Sequence, residues 1–566
     1  MARLALLAAL ALFILPLAWA EPAAWRGTIR VLPDGSVDPP DAPLRRVGDT
    51  YLLLADVEAA GDGIVIERAG AVLDGGGHAV RGSGAGRGVA LVNAPGAAVR
   101  GLAVSGFEYG IVANGSPGCR VAGNRVLGGR VGIGLWSSPN CSVEGNAVEE
   151  SMVGIFLEGS GGAEIAGNEL KGTGLYVRRS YGNRVAGNTV NGKPLLYLEG
   201  LVGGEVSGAA GQAVLVRCRG VRVVGLSIAN TSVGVLLSEC EGVEVFKVHV
   251  ASCTIGIDLW NSTGCTVELS GVSGCEVGVR LAHSRGSRLS LLSVRGCGYG
   301  LYLDSSWGNA VSRCVVEGCR QAGVALRLSR NNTLEGCVVS GNALGISLYR
   351  SGGNAFRGNA VWRNGCGVLV NSSSSNLFAG NDFVENRAHV LLSGAGPNSW
   401  DDGARGNFWS ELWEAAEAGR ALEPRELGEG NVDRHPLPAP ALVVPVEVST
   451  PIGFAAGGGW YLRNSTVAVR VWPSSLLILV FDRWVDAEGR TLAATPDAQL
   501  VVTGPTKLRA VWRVEYRAAA ALAAATASAL YARKLLGKKG KRKERVPFAP
   551  RPGLAAAVAA APGTSG

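Results

Sequence analysis

Methionine and histidine are scarce in this chain of 566 residues, at two and five respectively. His78, His249, His283, His389 and His435 are widely separated, and no Cys-x-x-Cys pair occurs. A zinc site built from clustered thiolates and imidazoles is therefore not expected, and no cofactor is. Charge is thin as well, at 18% of residues. Residues 533–545, "RKLLGKKGKRKER", hold eight basic residues and one acid and carry most of the formal net charge of +8. The rest of the chain is close to neutral, which argues against nucleic-acid binding by the body of the protein. Helical spacing of apolar residues is missing before residue 414.

What is present instead is a repeat. Cys253, Cys275, Cys297 and Cys319 recur every 22 residues, each shortly before a glycine and an aliphatic residue. A fixed period in the low twenties marks a solenoid in which one repeat is one coil. The residues that follow, such as "GIDLW" and "GLYLD", alternate with a period of two and read as short strands. Other small residues fall at fixed offsets from the same aliphatic anchor. One column holds Asn124, Asn146, Asn168, Asn188, Asn359 and Asn381, with Cys314 and Cys337 taking the same position in between. Asn tolerates left-handed backbone at turns, and its amide can donate and accept along a stack. The expected fold is all-β: a right-handed parallel β-helix with coils of about 22 residues stacked at about 4.8 Å. Gly, at 83 residues, suits a coil that turns three times per repeat.

The chain divides accordingly. Residues 1–20 read as a secretion signal ending at Ala18-Trp19-Ala20. Residues 21–62 read as an N-terminal cap, 63–413 as the β-helix and 414–441 as a linker. Residues 442–516 read as a small β domain, with strand candidates such as "TVAVRVW" and "AQLVV". Residues 517–533 contain the uncharged "AAAALAAATASALYA" and are expected to form a helix that spans a membrane once, although Ala is barely apolar. Residues 534–566 then form a basic cytoplasmic tail with a disordered end. The expected location is the outer face of the cell membrane. Seven N-x-S/T triplets, at Asn114, Asn140, Asn230, Asn261, Asn331, Asn371 and Asn464, are glycosylation candidates. The 12 cysteines lie between Cys119 and Cys366. Stacking in register holds their Cβ atoms beyond the usual span of a bridge, so free buried thiols are expected.

Outward positions of the first strand, read down the stack, give Trp136, Phe156, Glu158, Tyr176, Arg178, Asp258, Trp260, Arg280, Tyr302, Asp304, Arg327 and Tyr349. Aromatic rings interleaved with charges suit stacking on sugars and bonding to their hydroxyls. The glycan-binding candidates are Trp136, Phe156, Tyr176, Asp258, Trp260, Arg280, Tyr302, Asp304 and Tyr349. No catalytic residue is assigned. Hydrolysis would need two carboxylates about 5–9.5 Å apart, and strand geometry places Asp258 and Asp304 further apart than that. His283 near Arg280 and Arg285 is the one grouping suited to a lyase or epimerase. Asp401-Asp402 reads equally well as part of a cap.

The stretches "GIVIERAGAVLDGGGHAVRGSGAGRGV", "GISLYRSGGNAFRGNAVWRNG" and "NSWDDGARGNFWSE", with "DRHPL" after them, resemble the NosD-type β-helix family, part of a group of carbohydrate-binding proteins and sugar hydrolases. The resemblance covers residues 63–438 and implies an exported β-helix. The acidic Gly-rich loop usual before "DR-PL" is replaced here by "EAAEAGRALEPRELGEGNV". The family name implies copper, but with Met1 and Met152 alone and no His-x-His motif, that role is not carried over. The expected function is glycan binding or display on the first-strand face. The alternatives are a polysaccharide-active enzyme using that face, or an accessory protein of a transport or metal-maturation system.

Overall fold

A computed structural model describes residues 24–472 and 479–539. The expected secretion signal lies outside the described residues, as do the last residues of the basic run and the expected disordered end. A parallel β-solenoid of about 16 turns, with about 22 residues per coil, fills most of the chain. It begins earlier than residue 63. Ile29–Val31 pairs in parallel with Ile64–Ile66, and Val57–Ala59 with Ala79–Gly82, so residues 25–59 already form a coil. A hairpin between Leu44–Val47 and Thr50–Leu53 widens that coil and covers the open end.

Each first strand turns alternate residues inward. Ile257, Val279, Leu301 and Val324 pair in register along the stack and are essentially inaccessible. The 12 cysteines are all buried and unbridged. Within the column that set the period, the Cys253 amide donates to Cys275 Sγ at 3.4 Å. The asparagines work harder. Asn124 Nδ2 donates to Asn146 Oδ1, Asn146 Nδ2 to Asn168 Oδ1, and Asn168 Nδ2 to Asn188 Oδ1, at 2.9–3.0 Å. Each Oδ1 also accepts the backbone N–H of the preceding coil's asparagine. A parallel row of serines does the same with one hydroxyl per coil, Ser262 N to Ser284 Oγ and Ser284 N to Ser306 Oγ, both at 3.0 Å.

These ladders satisfy polar backbone at the buried corners, where water has no access. Asn359→Ala would strand the Cys337 N–H, which donates to Asn359 Oδ1, and the Leu334 carbonyl, which accepts from Asn359 Nδ2. The expected loss is about 2–4 kcal/mol of unfolding free energy. Asn359→Cys should cost less. In the same column the Cys314 N–H already donates to Cys337 Sγ at 3.4 Å. Urea denaturation of the two variants checks the order.

The solenoid is not one stack. At Asn191-Gly192 both residues take positive φ, 52° and 75°, and the chain reverses. Thr189–Val190 and Lys193–Glu199 form an antiparallel pair, the backbone of a two-residue hairpin. Lys193–Glu199 then pairs in parallel with Gln212–Val216, and regular coils resume. The third strands of the coils before the hairpin and the first strands of the coils after it belong to one 18-stranded sheet.

The reversal moves the core to the other side of that sheet. Leu196 and Leu198 pack into the second half, whereas Leu195 and Tyr197 pack against the first. Consequently the outer face of the second half carries Val214, Leu236, Ile255, Trp260 and Ala282 into the first half's apolar cluster. Gln212, fully buried, finishes the edge of the first half: its amide accepts from Leu175 N and donates to Leu175 O, both at 2.8 Å.

At the far end Trp400, Phe408 and Trp409 are fully buried. The segment expected as a linker belongs to this cap. Arg425–Gly428 and Asn431–Asp433 form a hairpin, and Asn431 and Asp433 are inaccessible. Asp433 receives the ladder's last bond, from Asn407 N at 2.8 Å, and also accepts from Trp409 Nε1 at 2.8 Å. An acceptor-only carboxylate suits the last rung, which has no further coil to donate to. The Asp401 carboxylate accepts from the Gly403 and Arg434 amides, and Asp402 from those of Ala404 and Arg405.

The remaining residues form a separate unit from Val444 on. A five-stranded and a three-stranded sheet enclose Val446, Val467, Val469, Trp484 and Leu508. The helix Tyr516–Lys539 follows. It is longer than expected, but alanine dominates it and Arg533, Lys534, Lys538 and Lys539 lie within it. No described helix is long and apolar enough to cross a membrane, so the expected single-span anchor finds no support.

Candidate functional site

The chain reversal folds one outer face onto another. Trp136, Phe156 and Tyr176 stand on first strands of the first half; Asp258, Trp260 and Arg280 stand on first strands of the second half and meet them. They were expected in a single line along one face. Instead they line or close a cleft of about 470 Å³.

One wall is a row of rings. Tyr109 and Trp136 have centroids 5.9 Å apart, Trp136 and Phe156 5.4 Å, and Phe156 and Tyr176 6.0 Å. The Trp136 indole lies flat on the sheet over Gly134, where an added Cβ would fall within about 2 Å of the ring. The opposite wall carries Val233, Ile255 and Val277, two positions before the inward aliphatic of each strand. Arg130, Arg178 and Arg280 also line the cleft, and no carboxylate does. The Arg178 guanidinium lies over Phe156, Tyr176 and Trp260, 5.2–5.7 Å from their centroids. Tyr109 and Arg130 went unread in the sequence, because they sit before the anchor position rather than after it.

The cleft closes on a buried network. Asp258, expected on a solvent face, is fully inaccessible. Arg280 Nε donates to its Oδ1 at 2.9 Å and Arg280 Nη2 to its Oδ2 at 2.6 Å. Tyr176 Oη donates to the same Oδ2 at 2.6 Å and accepts from Arg280 Nη2 at 2.7 Å. Burial, and then the charge of Asp258, push the Tyr176 phenol far above its usual value. Burial works against the Arg280 charge, but the Asp258 carboxylate outweighs it and holds the guanidinium protonated. Thr173 and Ser232 hydroxyls at 3.0 Å and Tyr181 Oη on Glu239 join the halves further along.

The other expected residues do not converge here. Tyr302 stacks on Tyr299 at 5.2 Å, and burial raises its phenol. Asp304 pairs with Arg327 at 2.8 Å, Glu158 with Arg178 at 2.9 Å, and Tyr349 is exposed under Arg350. His283 is an exposed residue at a left-handed turn, whereas Arg280 is turned into the cleft and bonded to Asp258. Of the acids read on this strand face, Asp258, Glu158 and Asp304 are each paired with an arginine. Of the glycosylation candidates Asn114, Asn140, Asn230, Asn261, Asn331 and Asn464 are exposed and Asn371 half-buried. Five of them, Asn140, Asn230, Asn261, Asn331 and Asn464, have positive φ, a backbone reason for asparagine at those turns.

Among solved structures, the chain is similar to the periplasmic alginate epimerase AlgG (15% identity, TM-score 0.34, covering 63% of this chain and 79% of that one). It is similar to the A-module of the Azotobacter vinelandii mannuronan C-5 epimerase AlgE6 (13%, TM-score 0.19, 62% and 88%) and to the catalytic domain of a GH87 alpha-1,3-glucanase (10%, TM-score 0.22, 61% and 64%). No curated protein matches the sequence. A family model described as "Periplasmic copper-binding protein (NosD)" matches residues 56–198 and 219–413, and the gap between them falls on the segment where the second half begins. The residues here do not fit copper. Among the described residues no group of three or more His, Cys, Asp or Glu is placed to hold a metal. His78 pairs with Asp56, His389 pairs with Glu411, and Met152 is the single methionine at the cleft. With more than half of its length matched, the chain belongs to the NosD family.

Proposed function

We propose that this is an exported protein that binds a glycan in the cleft between the two halves of its solenoid. The observation that carries the reading is the cleft of about 470 Å³ in which the half-buried Tyr109 and Trp136 rings, backed by the buried Phe156 and Tyr176 and flanked by Arg130 and Arg178 of the same half, face Val233, Ile255, Val277 and Arg280 of the second half. Flat rings give a sugar apolar C–H faces to rest on, and guanidiniums donate to its hydroxyl or carboxylate oxygens. Among the described residues no carboxylate lines the cleft, which favours binding over hydrolysis there. The periplasmic family and the signal-like first residues support export.

A glycan array followed by calorimetry tests the reading. Trp136→Ala should weaken the best ligand about tenfold, or about 1.4 kcal/mol. The melting temperature should fall as well, because the indole packs half-buried between Tyr109 and Phe156, so affinity is compared at a temperature where both proteins are folded. Gly134→Val should weaken binding to a similar extent by displacing the ring without deleting it. Unchanged affinity in both variants overturns the cleft reading. Release of reducing sugar from the ligand would replace binding by catalysis.

A further inference from the structure

Charge is unevenly spread along the solenoid. Between residues 285 and 357 the sequence has nine arginines and three acids, although the chain without its basic tail is close to neutral. On one corner of this region Arg285, Trp307 and Arg330 follow one another on consecutive coils in parallel register. All three side chains are exposed, and neither guanidinium has an ion-pair partner among the described residues. They flank the Trp307 ring, with Arg285 Cζ 6.0 Å and Arg330 Cζ 5.9 Å from its centroid. Two coils separate the arginines, about 9.6 Å at the stacking distance of strands. Next to them is a shallow depression of about 410 Å³ lined by Arg330, Asn331, Arg350 and Ser375 and by no carboxylate. Arg350 lies in turn over the exposed Tyr349 ring, 5.2 Å from its centroid.

We infer that this corner is a second binding surface, outside the cleft, for an acidic polysaccharide. Unpaired arginines at a regular spacing match an anionic polymer that repeats its charge. The exposed ring between them provides a platform for a sugar face, which a purely ionic patch lacks. The backbone there is flat and stacked, with no protruding apolar helix to enter a bilayer.

The test uses full-length protein made without N-glycosylation, because Asn331 lines the depression. It is titrated with polygalacturonate, with dextran as the uncharged control, at low and high salt. Polygalacturonate should bind with an affinity that falls with salt, and dextran should not bind at this corner. Arg285→Ser with Arg330→Ser should lower polygalacturonate affinity about tenfold and flatten its salt dependence, without lowering the melting temperature. Trp307→Ala should lower the affinity and leave the salt dependence intact. The Trp136→Ala variant separates the two surfaces: if the cleft reading fails, that variant is silent while the arginine variants still act. Wild-type affinity in the double arginine variant overturns the inference. So does tighter binding of duplex DNA or phosphatidylglycerol vesicles than of polygalacturonate, or no binding at all.

Discussion

Asp258→Ala should destabilise the protein by about 3–5 kcal/mol, more than any surface change in the same strands. Asp258 is fully buried, and its carboxylate takes two bonds from Arg280 and one from Tyr176. Removing it leaves a largely buried guanidinium with the Tyr176 hydroxyl as its remaining partner in the network. A buried charge without its counterion costs more than the pair contributed while intact. The control follows from the same reasoning. Asp258→Leu combined with Arg280→Met removes both charges and offers apolar surface to Phe156 and Trp260, so it should recover most of the loss. Tyr176→Phe should cost only about 1 kcal/mol, one hydrogen bond, because the ion pair remains. Urea denaturation orders the three variants. Hydrogen exchange adds the location: protection should fall first in Leu175–Arg178 and Ile255–Trp260, the strands the network ties together. Equal stability of Asp258→Ala and the double variant would show that the halves are held by something other than this charge pair.

The parts of this architecture that were legible in the sequence are those set by local repetition. Cys253 to Cys319 fixed the coil length, and Asn124 to Asn188 marked a buried corner, because each such residue meets its copy one coil away and leaves a periodic trace. The cleft left no such trace. It depends on one reversal at Asn191-Gly192, a dipeptide that favours a two-residue hairpin. That signal stood within a coil that otherwise reads as regular and was not weighed. Without the reversal, Asp258 reads as a solvent-facing residue; with it, the same outward position faces Tyr176. The basic corner was hidden differently. Net charge over the solenoid and its cap averages the arginines from 285 to 357 against an acid excess that lies mainly after residue 357, so only a count by region exposes it. The expected membrane anchor finds no support for a third reason, one already visible in the sequence: a charge-free alanine run carries little hydrophobic driving force per residue.

Trp400→Ala should cost about 3–5 kcal/mol, and the damage should be confined to one end. Trp400 closes a stack in which Phe356 and Phe378 have centroids 4.7 Å apart and Phe378 and Trp400 4.2 Å apart. Beside it Phe383 stacks on Trp409 at 4.6 Å, and Trp400 Nε1 donates to the buried Asn431 Oδ1 at 3.2 Å. Truncation opens a cavity against the last coils and leaves Asn431 short of a donor, and the rigid stack of rings cannot collapse into the gap. In a solenoid each coil leans mainly on its neighbours, so loss of a terminal cap frays the adjacent coils before it reaches distant ones. Hydrogen exchange should therefore show lost protection in Leu344–Tyr349, Cys366–Asn371 and Ala388–Ser393, with the coils before residue 190 unchanged. Asp258→Ala should give a different map, centred on the joint. A Trp400→Ala variant that loses protection uniformly from end to end would mean that the two halves fold as one cooperative block, and that the joint at Asp258 couples them more tightly than either cap.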